Sequence, residues 1–144
     1  MSASKTILLA EDLEDDAGII QYIFKKAGVS NPVMVVPDGA EAIAYLGGDN
    51  HYADRAKFPL PVVLLLDLKM PKRSGFEVLE WCKTRPDLKD LLVIVLSGHH
   101  DLGAVNRAYA LGAHSFLVKP CNVEDIRNLT KTFKGYWVES GASS

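Results

Sequence analysis

Groups that could do chemistry recur in this sequence at one kind of place, the point where an apolar run stops. "TILLA" (6–10) runs into Glu11 and Asp12, "VVLLL" (62–66) into Asp67, "LVIVL" (92–96) into Ser97, and "SFLV" (115–118) into Lys119 and Pro120. An ionised carboxylate at the end of a buried run is costly unless something pairs with it. Acids at two strand ends, a hydroxyl at a third and an ammonium at a fourth describe a site for a hard divalent cation beside a group carrying negative oxygens. In such a site Asp67 would be paired with the cation on one side and Lys119 on the other. Taken singly, a strand-end Asp is more often a helix cap or a loop acid. Here four strand ends carry compatible chemistry together, which capping alone does not explain.

These groups meet only if the runs are neighbouring parallel strands. The runs at 6–10, 33–36, 62–66, 92–96 and 115–118 alternate with stretches of helical periodicity at 15–27, 39–47, 74–84, 101–111 and 123–138. Serial βα units imply a parallel sheet with helices on both faces, because parallel strands need crossovers and a helix is the usual one. Gly28, Gly47, Gly48, Pro86 and Gly112 fall where the first four helices should stop. In an open parallel sheet ligands bind at the carboxyl ends of the strands, which is where the acids, the hydroxyl and the amine collect.

The 144 residues fit one domain, with a core over about 6–138. A net charge of -2 argues against a nucleic-acid partner. No apolar run is long enough to span a bilayer, and the opening "MSASKTILLAEDLEDD" meets acid where a signal peptide would stay apolar, so a cytoplasmic protein without membrane contact is expected. Cys82 and Cys121 match no metal or redox spacing and are expected as free thiols.

"LLLDLKMPKRSGFEVL", with "AED" upstream and "LSG" and "LVKP" downstream, resembles the receiver domain of two-component response regulators from residue 6 to about 135. The resemblance implies an α/β, doubly wound, flavodoxin-like fold with five parallel strands in the order 2-1-3-4-5. It implies a single receiver with no output domain, which takes a phosphoryl group from a sensor histidine kinase. Such a protein catalyses only its own phosphorylation and dephosphorylation. By position, Asp67 matches the phosphoacceptor, and Glu11 and Asp12 the acidic pair that holds Mg2+. The backbone carbonyl of Lys69 would be a further ligand, Ser97 and Phe116 the switch residues, and Lys119 the phosphate-pairing lysine, followed by a cis bond to Pro120. Lys69 and His99 depart from the commonest pattern and bear on the lifetime of the phosphorylated state. The pair His99 and His100 is expected as surface loop, since no third ligand sits at metal spacing.

Three other readings stand beside this one. An aspartyl phosphohydrolase would place its nucleophile in a D-x-D pair after the first strand, and a flavodoxin-like nucleotide binder would not put "EDLEDD" where phosphate must sit. A degenerate receiver that only binds protein would not need all five key positions filled. The loop "YADRAKFPLP" and the terminal "FKGYW" are similar to single-domain regulators that partner phytochrome-type kinases, which act through a downstream protein. Ile20, Ile23, Phe24 and Ala27 form the packing stripe of the first helix, leaving Ile19 and Tyr22 outside it as candidates for kinase docking. The last helix, capped by Asn122, should extend about 24 Å against about 17 Å of strand. The last turn or two, with Tyr136, Trp137 and Val138, would then overshoot the sheet, and Phe133, Tyr136 and Trp137 would be buried in a homodimer. Alternatively, Gly135 would let the end fold back.

Overall fold

The computed structural model describes residues 5–70, 72–98 and 102–139; His99 and His100 lie outside them. Five strands, β1 (Ile7–Ala10), β2 (Val33–Val36), β3 (Val63–Asp67), β4 (Leu92–Gly98) and β5 (Ser115–Lys119), alternate with five helices. These are α1 (Glu14–Lys26), α2 (Gly39–Gly47), α3 (Gly75–Lys83), α4 (Leu102–Ala110) and α5 (Val123–Thr132). All strand pairs are parallel, in the order β2-β1-β3-β4-β5.

Side chains of successive strand residues point to opposite faces, and the core divides accordingly. Ile7, Leu9, Val63, Leu65, Ile94 and Leu96 face Ile20 and Phe24 of α1 and Ile126 and Leu129 of α5. Leu8, Ala10, Leu64, Leu66, Val93 and Val95 face α2, α3 and α4 through Leu46, Leu79 and Ala108. The central strands are thus buried on both sides, which is why they read as unbroken apolar runs rather than alternating ones.

Local chemistry fixes the helix starts. Asp38 accepts a hydrogen bond from the Glu41 amide at 2.8 Å, and Ser74 with Glu77 closes a capping box on α3. Asn122, the expected cap, does so with Asp125 on α5. Gly75 packs so closely that a Cβ there would lie 2.6 Å from the Asp67 carbonyl oxygen, so α3 approaches the end of β3 only because this residue has no side chain. The long loop before β3 is pinned by Arg55, whose guanidinium donates to the Tyr45 and Leu46 carbonyls at the end of α2 at 2.8 and 2.9 Å.

The end of the chain departs from the expected long helix. α5 stops at Thr132 rather than running to 138, and the backbone turns through Gly135 at φ 95°. Phe133, Tyr136 and Trp137 fold back onto the α1 and α5 side of the core, with Trp137 stacked obliquely on Phe24 at 6.3 Å. Buried Asn31 holds this tail. Its amide nitrogen donates to the Lys5 and Tyr136 carbonyls at 2.8 and 2.9 Å, and its oxygen accepts from the Val138 amide at 2.7 Å. Overshooting aromatics, the premise for a dimer through Phe133, Tyr136 and Trp137, are therefore replaced by aromatics packed within one chain. The reason is physical: the backbone leaves helical geometry at Phe133 (φ -115°, ψ 88°), a left-handed glycine then turns the chain, and an asparagine supplies partners for the backbone that follows.

Asn31→Ala should leave the Val138 amide and the Lys5 and Tyr136 carbonyls without their partner and cost about 3 kcal/mol of stability in urea unfolding. A loss under about 1 kcal/mol would mean that water replaces these bonds freely.

Candidate functional site

The strand register brings the chemical groups together. Ala10 pairs with Leu66, Asp67 with Leu96, and Gly98 with Lys119, so Glu11, Asp67, Ser97 and Lys119 emerge at the same edge of the sheet. Glu11 and Asp67 are 2% and 5% exposed, Ser97 is buried, and Asp12 is exposed at the rim. Carboxylate oxygens of Glu11, Asp12 and Asp67 lie within 4.8 Å of one another. Three hard oxygen donors at that spacing, one of them open to solvent, fit a divalent cation such as Mg2+.

Lys119 ties the acids together. Its ammonium donates to Glu11 Oε1 at 2.9 Å, Asp67 Oδ2 at 3.0 Å and Asp16 Oδ2 at 3.3 Å. The remaining oxygens are also engaged: the Lys69 amide donates to Asp67 Oδ1 at 2.9 Å, and the Leu13 amide to Glu11 Oε2 at 3.3 Å. The Lys119–Pro120 bond is cis, as the resemblance implies.

The electrostatics are unbalanced, with four carboxylates around one ammonium. Burial pushes the Glu11 carboxyl up, and the Asp67 charge beside it adds to this; Lys119 opposes both, and the result is about 7. For Lys119, burial favours the neutral amine, but hydrogen bonds to Glu11 and Asp67 and their charges outweigh it and hold the ammonium above its usual pKa. A site of this kind binds a cation by relieving repulsion among its own acids.

The structure brings together Glu11, Asp12, Asp67 and Lys119, with Ser97 buried at the same edge. Lys69 contributes its amide to Asp67 while its side chain points to solvent. Phe116 lies further back on β5, half-buried, with its ring edge-on to Tyr109 of α4 at 6.3 Å. Ile19 and Tyr22 are 52% and 61% exposed on α1, outside the stripe of Ala17, Ile20 and Phe24 that packs on the sheet. Ile23 and Ala27, expected in that stripe, are half-buried beside it. Sequence reasoning missed Asp16, one of three neighbouring acids in "EDD". The signal was its phase: Asp16 sits four residues before buried Ile20, at the margin of the packed face rather than on the solvated one.

The sequence profile of the response regulator receiver domain matches residues 7–131. The response regulator Rcp1 of Synechocystis sp. is 33% identical over 136 residues, covering 94% of this chain and 90% of Rcp1. Its Mn2+-bound form superposes with a TM-score of 0.72 at 34% identity, over 89% of this chain and 90% of that one. The bacteriophytochrome response regulator RtBRR is 30% identical with a TM-score of 0.83, over 98% of this chain and 84% of that one. The phosphorylated cyanobacterial phytochrome response regulator RcpA is 34% identical with a TM-score of 0.76, over 94% of each chain. With the profile spanning most of its length and Rcp1 33% identical over nearly all of it, the chain belongs to the response regulator receiver domain family.

Proposed function

We propose that this protein is a single-receiver response regulator of the cytoplasm that accepts a phosphoryl group on Asp67, with Mg2+, from a phytochrome-type sensor histidine kinase. The observation that carries this reading is one buried carboxylate, Asp67, hydrogen-bonded to Lys119 at 3.0 Å and sharing a cation-sized acid cluster with Glu11 and Asp12. Phosphorylated RcpA, Mn2+-bound Rcp1 and the bacteriophytochrome regulator RtBRR support it by likeness.

In the reaction an Oδ atom of Asp67 attacks the phosphorus of a phosphohistidine. The P–N bond breaks, its electron pair leaves with the imidazole, which takes up a proton, and a P–O bond to Asp67 forms. A carboxylate approaching an anionic donor is repelled, and Lys119 offsets that repulsion from the β5 side. Mg2+ held by Glu11, Asp12, Asp67 and the Lys69 carbonyl would supply further positive charge where it develops on the phosphoryl oxygens. Ser97 then hydrogen-bonds a phosphoryl oxygen, and the space it vacates admits Phe116, whose edge contact with Tyr109 passes the change to α4. The protein turns over no separate substrate.

Asp67→Asn should abolish the Mg2+-dependent, hydroxylamine-sensitive label acquired from acetyl phosphate or a cognate kinase; undiminished labelling of this variant would remove Asp67 as the acceptor.

The raised pKa of Glu11 sets a pH dependence. Between its ordinary value of 4.5 and about 7, the folded protein holds a proton that the unfolded chain releases, so without a cation stability falls as pH rises through that window. Cation binding needs the ionised form. Mg2+ affinity, measured by titration calorimetry, should therefore rise with pH by up to about tenfold per unit below 7 and level off above it. A flat profile from pH 5.5 to about 8 would show that Glu11 is already ionised throughout.

Kinase docking on the exposed face of α1 predicts that Ile19→Ala combined with Tyr22→Ala slows transfer from a phosphorylated kinase by about tenfold. Labelling by acetyl phosphate should change little. Equal kinase rates for wild type and variant would place docking elsewhere.

A further inference from the structure

Lysine offers three N–H donors and no acceptor, and here all three have partners. Two of them, Glu11 and Asp67, have side chains 0% and 7% exposed and belong to the acid cluster suited to a cation. The third is different. Asp16 lies on the first turn of α1, its side chain is 36% exposed, it stands outside the cluster of cation donors, and its bond to Lys119 is the longest of the three at 3.3 Å.

A phosphoryl group approaching Asp67 brings new oxygens to the site while the Asp67 carboxylate still accepts from the ammonium, so Lys119 has no spare hydrogen with which to meet them. One existing bond must be given up. Release of Glu11 would break the shortest of the three bonds, to a carboxylate whose side chain is wholly buried and that water cannot reach. Release of Asp16 exposes an acid that water already reaches, so this exchange costs least. We propose that Asp16 is a positioning residue that occupies the third hydrogen of Lys119 in the unphosphorylated protein and competes for it with the incoming phosphoryl oxygens. The inference rests on the reading of Asp67 as acceptor and adds to it the group that sets how firmly the lysine grips the phosphoryl group. Asp16 also lines a cavity of about 270 Å³ with Ile19, Ile20, Lys119, Pro120 and Cys121. Its release from Lys119 therefore changes the charge presented beside Ile19, on the face of α1 proposed for kinase docking.

Competition for a hydrogen bond differs from a general negative field. Asp15 carries the same charge on the same turn, is exposed, and is not among the three acceptors of Lys119. The test is the acetyl phosphate concentration that half-saturates the labelling rate at saturating Mg2+. In this reaction an Asp67 oxygen attacks phosphorus, the P–O bond to the acetyl group breaks, and acetate leaves with the electron pair. Asp16→Ala should lower the half-saturating concentration by about fivefold. Asp16→Asn, which keeps an oxygen with a weaker hold on the ammonium, should fall between Ala and wild type, and it carries the test if the alanine variant does not fold. Asp15→Ala should match wild type, because a solvated charge without a contact is screened. An unchanged or raised value in both Asp16 variants, or the same fall in Asp15→Ala, would overturn the competition. Wild-type protein that takes no label at all would overturn the Asp67 reading and the inference with it.

Discussion

The arrangement depends on one long side chain reaching across the sheet. Lys119 leaves β5, an edge strand, and meets Asp67 on β3 with β4 between them. Adjacent strands are about 4.8 Å apart, so this bond spans about 10 Å, a gap that a four-carbon stem can close and a shorter cation cannot. From there the ammonium also reaches Glu11 beyond β1 and Asp16 on α1. Four elements of the fold therefore converge on one charge. Without it, two buried acids would face each other across a low-dielectric gap, a situation that costs several kcal/mol.

The lysine does not fully neutralise what it holds. Glu11 stays well above the usual carboxylate range because it is buried and Asp67 is beside it. A core selected only for stability would replace such acids with apolar residues of similar size. That the fold instead surrounds them with the apolar ends of β1, β3 and β4 marks the site as one built for what binds there. Its strain is electrostatic, and positive charge from outside would relieve it.

Much of this was legible in the sequence, for a physical reason. Parallel strands covered on both faces are apolar throughout, so Glu11, Asp67, Ser97 and Lys119 stand out as interruptions, and the rule for sheet edges places them together. All five strands and the first four helices appear within about two residues of where periodicity puts them, the scale on which boundaries are defined at all. The last helix was misjudged because periodicity counts apolar residues and not what they pack against. Ile126, Leu129, Phe133 and Trp137 do continue at helical spacing, and the two aromatics do reach the core, but by a turn at Gly135 that Asn31 stabilises from more than a hundred residues away in sequence. Asp16 escaped notice for the opposite reason. A run of exposed acids at a helix start is well explained by the helix dipole, and that sufficient local cause hid a tertiary one.

Helix α1 gives these contacts a common frame. Its first turn carries Asp16 to Lys119, its outer face presents Ile19 and Tyr22, its inner face packs Ile20 and Phe24 on the sheet, and Phe24 meets Trp137 of the returning tail. The tail braces the far end of the helix while the acid site holds the near end, so α1 is fixed at both ends and its exposed face is set by both. By contrast Phe116, half-buried on edge strand β5, meets Tyr109, exposed on α4, at the other side of the sheet, where packing is looser than around β3. A side chain can change place there without opening the core, whereas Asp67 is buried at the end of the central strand, with strands on both sides. The division follows from the sheet order: the carboxylate proposed to react sits on the central strand, where the structure is most constrained, and the groups proposed to respond to it sit one and two strands away, where constraint falls off.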